Sequence, residues 1–362
     1  MAMMKCLQDR RTRRDVLTYL LVIAAFAVVW LLQANRMIPR MIAGQLVPIC
    51  SYIVMAISLN LVVGVAGDLS LGHAGFMSVG AYTGIVTAMG LADAVPDDGL
   101  RLVIAIIAGA AAAAFAGFLI GIPVLRLSGD YLAIVTLAFG EIIKEVITCL
   151  IVGVDDRGLH VLFNLAGNRT VSDLALSDGG IAIIKGAQGA TGVEGISTFV
   201  AGFLLVMVSL VIVLNLVRSR TGRAIIAVRD NRIAAESVGI STTRYRMVAF
   251  VVSAALAGAA GALFGNGFSQ LSAAKFDFNM SILILVFVVL GGLGSMRGSI
   301  VAATLLTILP EALRQFSDYR MLVYAVVLIL VMLATNNDTL KNLAARVIPW
   351  RRAPKEEVPA DA

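Results

Sequence analysis

The sequence predicts an all-α membrane protein, a polytopic helical bundle of about 8–10 transmembrane helices with two glycine-rich interrupted segments. Three observations lead there. The 362 residues are 59% hydrophobic and 14% charged, with a mean hydropathy of +0.92. A soluble domain of that composition would leave too much apolar surface in water. Apolar windows recur along the whole chain, each near the roughly 20 residues that a helix needs to cross about 30 Å of hydrocarbon. Finally, the run from Gly64 to Gly75 and the cluster Gly291, Gly292, Gly294 and Gly298 put backbone freedom where a plain membrane helix has no use for it. Irregular chain at membrane depth survives only inside protein or beside a wet cavity.

Taken in order, the windows lie near residues 16–34, 44–63, 69–90, 102–125, 131–152, 197–217, 247–268, 281–293, 299–316 and 320–335. The first follows Lys5, Arg10, Arg11, Arg13 and Arg14 and has no A-x-A-like cleavage site before the next window, so it reads as a retained signal anchor. With ten spans and the N-terminus inside, the inner segments hold nineteen Lys and Arg and the outer ones nine. That bias places both termini in the cytoplasm of a multi-pass plasma membrane protein. It divides the chain into a basic cytoplasmic N-terminus (1–15), a transmembrane domain (16–335) and a cytoplasmic C-terminal tail (336–362). The net charge of +6 is then a topology signal facing the lipid bilayer, and no nucleic-acid partner is implied. Cys6, Cys50 and Cys149 show no pairing or metal spacing, so no metal site is expected.

Two connections are long. Residues 153–196 set Asp155, Asp156, Asp173, Asp178 and Glu194 against Arg157, Arg169 and Lys185, an acidic outer loop expected to be only partly regular. Its Asn168-Arg169-Thr170 triplet fits a glycosylation acceptor, a pattern that also arises by chance. Residues 218–246 carry seven arginines and two acids, and lie inside. From Ala224 to Val238 this loop contains neither Gly nor Pro, which predicts one helix stopped by Gly239. Arg229, Arg232 and Glu236 would share a polar face of it. Such a helix is either an anchor on anionic lipid or a docking element for a partner protein.

The two breaks hold the candidate path. Gly67 to Ala74 has the glycine spacing of a Walker A loop, but His73-Ala74 replaces Lys-Ser/Thr, so no phosphate cradle is present. His73 either closes the break as a hydrogen-bonded structural residue or lines the path. If a span begins at Ser70, Gly72 and Gly75, its free N–H groups could attract a carboxylate. Glu141, Lys144 and Glu145 lie within the fifth window. Charges there face protein or water and pair, so Glu141 and Lys144, one turn apart, form either a packing ion pair or, with Thr136, polar lining of the path. Ala257, Gly261 and Gly265 recur every four residues, as close helix packing requires.

Several motifs in one order carry a resemblance. They are Leu59-Asn60-Leu61-Val62-Val63-Gly64, Leu69-Ser70-Leu71-Gly72-His73-Ala74, Gly129-Asp130-Tyr131-Leu132-Ala133, Phe139-Gly140-Glu141-Ile142-Ile143, Arg220-Thr221-Gly222-Arg223-Ala224, Ala234-Ala235-Glu236-Ser237-Val238-Gly239, Leu290-Gly291-Gly292-Leu293-Gly294-Ser295 and Ser317-Asp318-Tyr319-Arg320. Across residues 45–335 the chain resembles the LivM-type permease subunits of branched-chain amino-acid ABC importers. The resemblance implies a transport subunit of a bacterial inner membrane, with no enzyme activity and no cofactor of its own. ATP would be used by two separate cytoplasmic ATPase subunits, beside a paralogous permease subunit and an extracytoplasmic solute-binding protein. Ser70, Gly72, His73, Gly75, Thr136, Glu141, Gly291, Gly292 and Gly294 would then line the translocation path. Gly222, Arg223, Arg229, Asp230, Arg232, Glu236 and Gly239 would form the coupling element in an ATPase groove. The family's Thr-Gly-Gly-x-Asn-Gly-Ile segment reads Thr191-Gly192-Val193-Glu194-Gly195-Ile196 here, which leaves urea or a short amide as alternative cargo. The rival of a different class is an ion-coupled secondary transporter. It would have no purpose for the arginine loop.

Overall fold

Helices occupy each of the first nine apolar windows. The computed structural model describes residues 10–35, 40–127, 129–155, 158–164, 169–174 and 180–312, with Val326 and Ile329. Two compact units, Met1–Ile308 and Leu309–Ala362, emerge, and nearly all described residues belong to the first. The tenth window, residues 1–9, the C-terminal tail, Asn168 and the Ser317–Arg320 motif lie outside the described residues, Val326 and Ile329 excepted.

The long helices are α1 (Arg10–Ala34), α2 (Arg40–Asn60), α3 (His73–Gly90), α4 (Asp98–Val124), α5 (Asp130–Thr148), α6 (Phe199–Arg218), α9 (Thr242–Gly265), α10 (Phe278–Gly291) and α11 (Met296–Ala312). Two short ones, α7 (Arg220–Asp230) and α8 (Arg232–Ser237), form the basic loop. Among the described residues, five helical segments are long and apolar enough to cross a membrane: Ile42–Ala66, Asp98–Val124, Phe199–Arg218, Thr242–Gly265 and Ala273–Gly291. Their starts are specified locally. Asp97, Thr198 and Asp277 accept backbone N–H bonds from Leu100, Ala201 and Met280 at 3.0–3.2 Å, satisfying donors that a helix start leaves free.

The core is a three-helix contact of α3, α4 and α9, built on small residues. A Cβ at Gly80 would overlap the backbone of Gly258, and one at Gly261 the Met77 carbonyl. Backbones this close gain dispersion contacts that larger side chains would prevent. This is the packing expected of Gly261. Against that core lies α2, whose Val54, Met55, Ala56 and Ile57 are wholly buried.

The loop of residues 153–196 is partly regular, as expected, and its regular part is a sheet that was not expected, with strands β1 (Leu150–Asp155), β2 (Gly158–Phe163), β3 (Ile181–Lys185) and β4 (Ala190–Thr191), joined by β5 (Gln270–Leu271) in the order β2-β1-β3-β4-β5, all antiparallel. Ile151 and Val152 were expected at the end of the fifth span. Instead α5 stops at Thr148, and these β-branched residues pair with Leu162 and Val161 of β2.

The bundle therefore has a sheet end and a basic end. Arg101, near the start of α4, reaches Glu194 beyond β4 at 2.6 Å, while Leu125, just past the end of α4, meets the base of α9 through Arg246. The α1 helix starts at the basic end, where Thr18 bonds Arg297, and its Phe26 stacks on Phe199 and Phe203 of α6.

Candidate translocation and coupling site

The first break is built by loosening and then reversing the chain. Below Asn60 the α-helical ladder gives way to a π-helical turn over Leu61–Ala66. Gly67 then takes φ 77°, the left-handed conformation that glycine adopts without a Cβ penalty, and Asp68 N–H returns to the Val62 carbonyl at 3.1 Å. The chain runs without regular structure to Gly72, and α3 begins at His73.

Three amides around the start of α3 have partners. Leu71 N–H donates to Thr136 Oγ1 at 3.1 Å, Ala74 N–H to Ser281 Oγ at 3.2 Å, and Gly75 N–H to the Gly72 carbonyl. Hydroxyls of α5 and α10 thus take the Leu71 and Ala74 amides, which neighbour the expected carboxylate site at Ser70, Gly72 and Gly75. Gly72 and Gly75 lie against α5. A Cβ at Gly72 would overlap the Thr136 carbonyl, and one at Gly75 would sit 2.9 Å from Gly140 Cα. His73 is buried, its Nε2 2.8 Å from Ser58 Oγ, as the structural role requires. Its Nδ1, and Ser70 Oγ beside it, have no hydrogen-bond partner.

The second break, Gly292–Ser295 between α10 and α11, touches the first. Asn60 joins them: its Oδ1 accepts Gly294 N–H at 2.8 Å and its Nδ2 donates to Ser299 Oγ at 2.9 Å. A Cβ on Gly64 would overlap the Gly294 backbone, and one on Gly291 the chain at Gly298 and Ser299. Sequence reasoning singled out both breaks but neither their contact nor Asn60. The signal available was a carboxamide in the apolar run Ile57–Val63.

A buried ion pair was also missed. Arg246, near the start of α9, grips Asp68 with two bonds of 2.7 and 2.8 Å. The same guanidinium donates to the Leu125 carbonyl at 3.0 Å, closing the end of α4. Arg246 is 6% exposed and Asp68 14%, so the pair is almost dry. Only the oddity of an acid within the glycine run pointed to it.

On the basic side the single predicted helix is two. Asn231 takes an extended conformation (φ −155°) and its side chain accepts Ala234 N–H at 3.0 Å, capping α8 and ending α7. Arg229 is therefore separated from the face of Arg232 and Glu236. It turns back into the bundle. Its Nη1 donates to the Gly64 carbonyl at 3.1 Å, its stem covers Gly67, and it pairs with Asp230 at 2.8 Å. Arg223 donates to the Arg218 carbonyl, and Gly222 packs tightly on the end of α6, where a Cβ would overlap the Leu216 and Val217 carbonyls. The Glu236 carboxyl is held below the usual carboxylate range by the Thr242 hydroxyl and then by Arg232. Gly239, at φ 83°, ends the loop as expected, with N–H bonds from it and Ile240 closing onto Glu236 and Ala235. Ile233 and Val238 stand 81% and 74% exposed on its surface.

In α5 the ion pair expected between Glu141 and Lys144 is present, and Glu145 lies 3.8 Å from the same amine. Among the described residues no cluster of His, Cys, Asp and Glu could hold a metal ion.

Residues 41–332 match the family described as branched-chain amino acid transport system / permease component. The chain belongs to this family. Among curated proteins this permease is 37% identical to the high-affinity branched-chain amino acid transport system permease protein LivM of Escherichia coli K12, over 87% of its own length and 72% of that protein. It is 36% identical, with the same coverage, to LivM of Salmonella typhimurium LT2. It is also 30% identical to the permease protein LivH of E. coli K12, over 78% of its length and 89% of that protein. No solved structure matches. The Thr191–Ile196 segment, where the sequence leaves the family pattern, contributes the carboxylate of Glu194 that meets buried Arg101.

Proposed function

We propose that this permease moves branched-chain or related aliphatic amino acids into the cytoplasm, with ATP hydrolysed on two separate cytoplasmic ATPase subunits. A paralogous permease completes the pathway, and an extracytoplasmic solute-binding protein delivers the substrate at the sheet end. The observation that carries this reading is the contact of Arg229 with Gly64 and Gly67. It ties an exposed basic helix directly to the break in the membrane core, so a push on α7 reaches backbone whose ladder is already loosened. Such irregular segments are where transporters change shape around their cargo. The path runs by Ser70, Gly72, His73, Gly75, Thr136 and Glu141, with Gly291, Gly292 and Gly294 at its inner closure. The unpartnered Ser70 Oγ and His73 Nδ1 support this, because buried polar atoms normally find partners, and water or a ligand in the path would supply them. Both termini lie in the cytoplasm with α7 and α8.

The whole importer, reconstituted in proteoliposomes with ATP enclosed on the ATPase side, should accumulate labelled leucine. Isoleucine and valine should compete, and urea and acetamide should not. Uptake by this chain alone, driven by a proton or sodium gradient, would replace the proposal with secondary transport.

A further inference from the structure

Residues 64–68 are held from the basic loop at both ends. At one end Arg229 of α7 donates to the Gly64 carbonyl. At the other the Asp68 carboxylate takes two bonds from Arg246 of α9. In the sequence, α8 is strung between these two arginines. The stretch they hold is compliant, because it leaves the α-helical ladder through the π-helical turn and then reverses at Gly67. A two-bond arginine–carboxylate pair fixes both distance and angle, which a single bond to a carbonyl does not.

The Arg246 end has its own route to the surface. One oxygen of Glu236, in α8, accepts from Arg232 at 3.2 Å and from the Thr242 hydroxyl at 2.8 Å. Thr242 opens α9 and is buried, and Arg246 follows about one turn later, buried as well. The same guanidinium donates to the carbonyls of Leu125 and Leu127 at 3.0 and 3.4 Å, on the chain that leads from α4 towards α5. Hydrogen bonds and one turn of helix thus run unbroken from the surface of α8 to Asp68, and from the break to Gly294 by the close approach of Gly64. A dry ion pair adds little to stability that apolar side chains of the same volume would not. What it adds is a directed, stiff connection. We propose that Asp68 and Arg246 are positioning residues for coupling: through Glu236 and Thr242 they carry a displacement of α8 to the first break, by a route separate from that of Arg229. The inference rests on the proposed importer, in which α7 and α8 face the ATPase subunits.

The test measures labelled leucine taken up per ATP hydrolysed by the whole importer in proteoliposomes, beside the melting temperature of each variant. Thr242→Val removes the hydroxyl, keeps the shape and leaves the buried ion pair intact. It should lower uptake per ATP several-fold at an unchanged melting temperature, with the ATPase subunits still bound. Asp68→Asn should lower both quantities. Because the two lie on one route, Thr242→Val should add no further loss of uptake per ATP to Asp68→Asn, whereas Arg229→Ala combined with Thr242→Val should multiply the two losses. Wild-type uptake per ATP in both Thr242→Val and Asp68→Asn, whatever their melting temperatures, would overturn the relay, reduce the pair to a clamp and leave the function standing. Loss of the ATPase subunits from the Thr242→Val complex would also overturn it, by making Thr242 part of the docking surface. Ion-driven uptake by this chain without ATPase subunits would overturn relay and function together.

Discussion

Asp68 and Arg246 are separated by 178 residues and join the first break to the ends of two helices. Removing one partner leaves the other charge buried and uncompensated, which typically costs about 3–5 kcal/mol. Asp68→Ala and Arg246→Ala should each lower the melting temperature of the detergent-solubilised protein sharply. The double variant should lose much less than the sum, because the two groups act as one. Gly72 makes a second residue-scale demand. Its missing Cβ leaves room for the Thr136 carbonyl, so Gly72→Ala forces α3 off α5, at a cost of about 1–3 kcal/mol. Folded yield should fall along with uptake. Gly292, whose Cβ would meet nothing closer than 3.8 Å, has φ 91° and ψ 121°, outside the left-handed helical region that Asn tolerates, so Asn and Ala alike should destabilise it. Both glycine runs were legible in the sequence because they contrast with the apolar chain around them. Their partners were not, since nothing in Asp68 specifies an arginine so far away, and nothing in Asn60 announces Gly294.

Among the elements, α7 and α8 best separate what periodicity can tell from what it cannot. The basic content, the helical character and the stop at Gly239 all follow from composition. The division at Asn231 does not, because an asparagine inside a helix and one capping the next helix read alike until the backbone chooses. The division matters to the coupling proposed above. It frees Arg229 to turn inward while Arg232, Glu236, Ile233 and Val238 remain on the surface. Arg229→Ala should leave ATPase subunits bound and hydrolysing ATP while uptake per ATP falls several-fold, measured side by side in proteoliposomes. Arg232→Ala should act differently and weaken ATPase binding itself. Full uptake in Arg229→Ala would mean that the Gly64 contact carries no motion.

At the scale of the whole molecule, alternation between a sheet end and a basic end makes topology directly measurable. In a background free of native cysteines, Gln188→Cys should react with an impermeant thiol reagent added outside intact cells, and Ser237→Cys only after the membrane is opened. All nine apolar windows that fall on described residues became helices, because burial of about 20 apolar residues is a signal that each segment carries alone. The sheet was missed because strands of two to six residues carry no such signal, and their pairing depends on residues far off in the chain.

The distance between β4 and β5 also has a meaning in time. β4 pairs with β3 on one side and with Leu271 and Gln270 of β5 on the other, and the Leu271 carbonyl also accepts the Tyr82 hydroxyl at 2.9 Å. A ribosome adding roughly 5–20 residues per second reaches β5 several seconds after β4 has been made. For that interval β4 has β3 on one side and a free edge on the other, and α6 and α9 are made before β5 can cover it. The sheet is thus completed only after α1 to α9 have been made, and the free edge of β4 is open to mispairing until then.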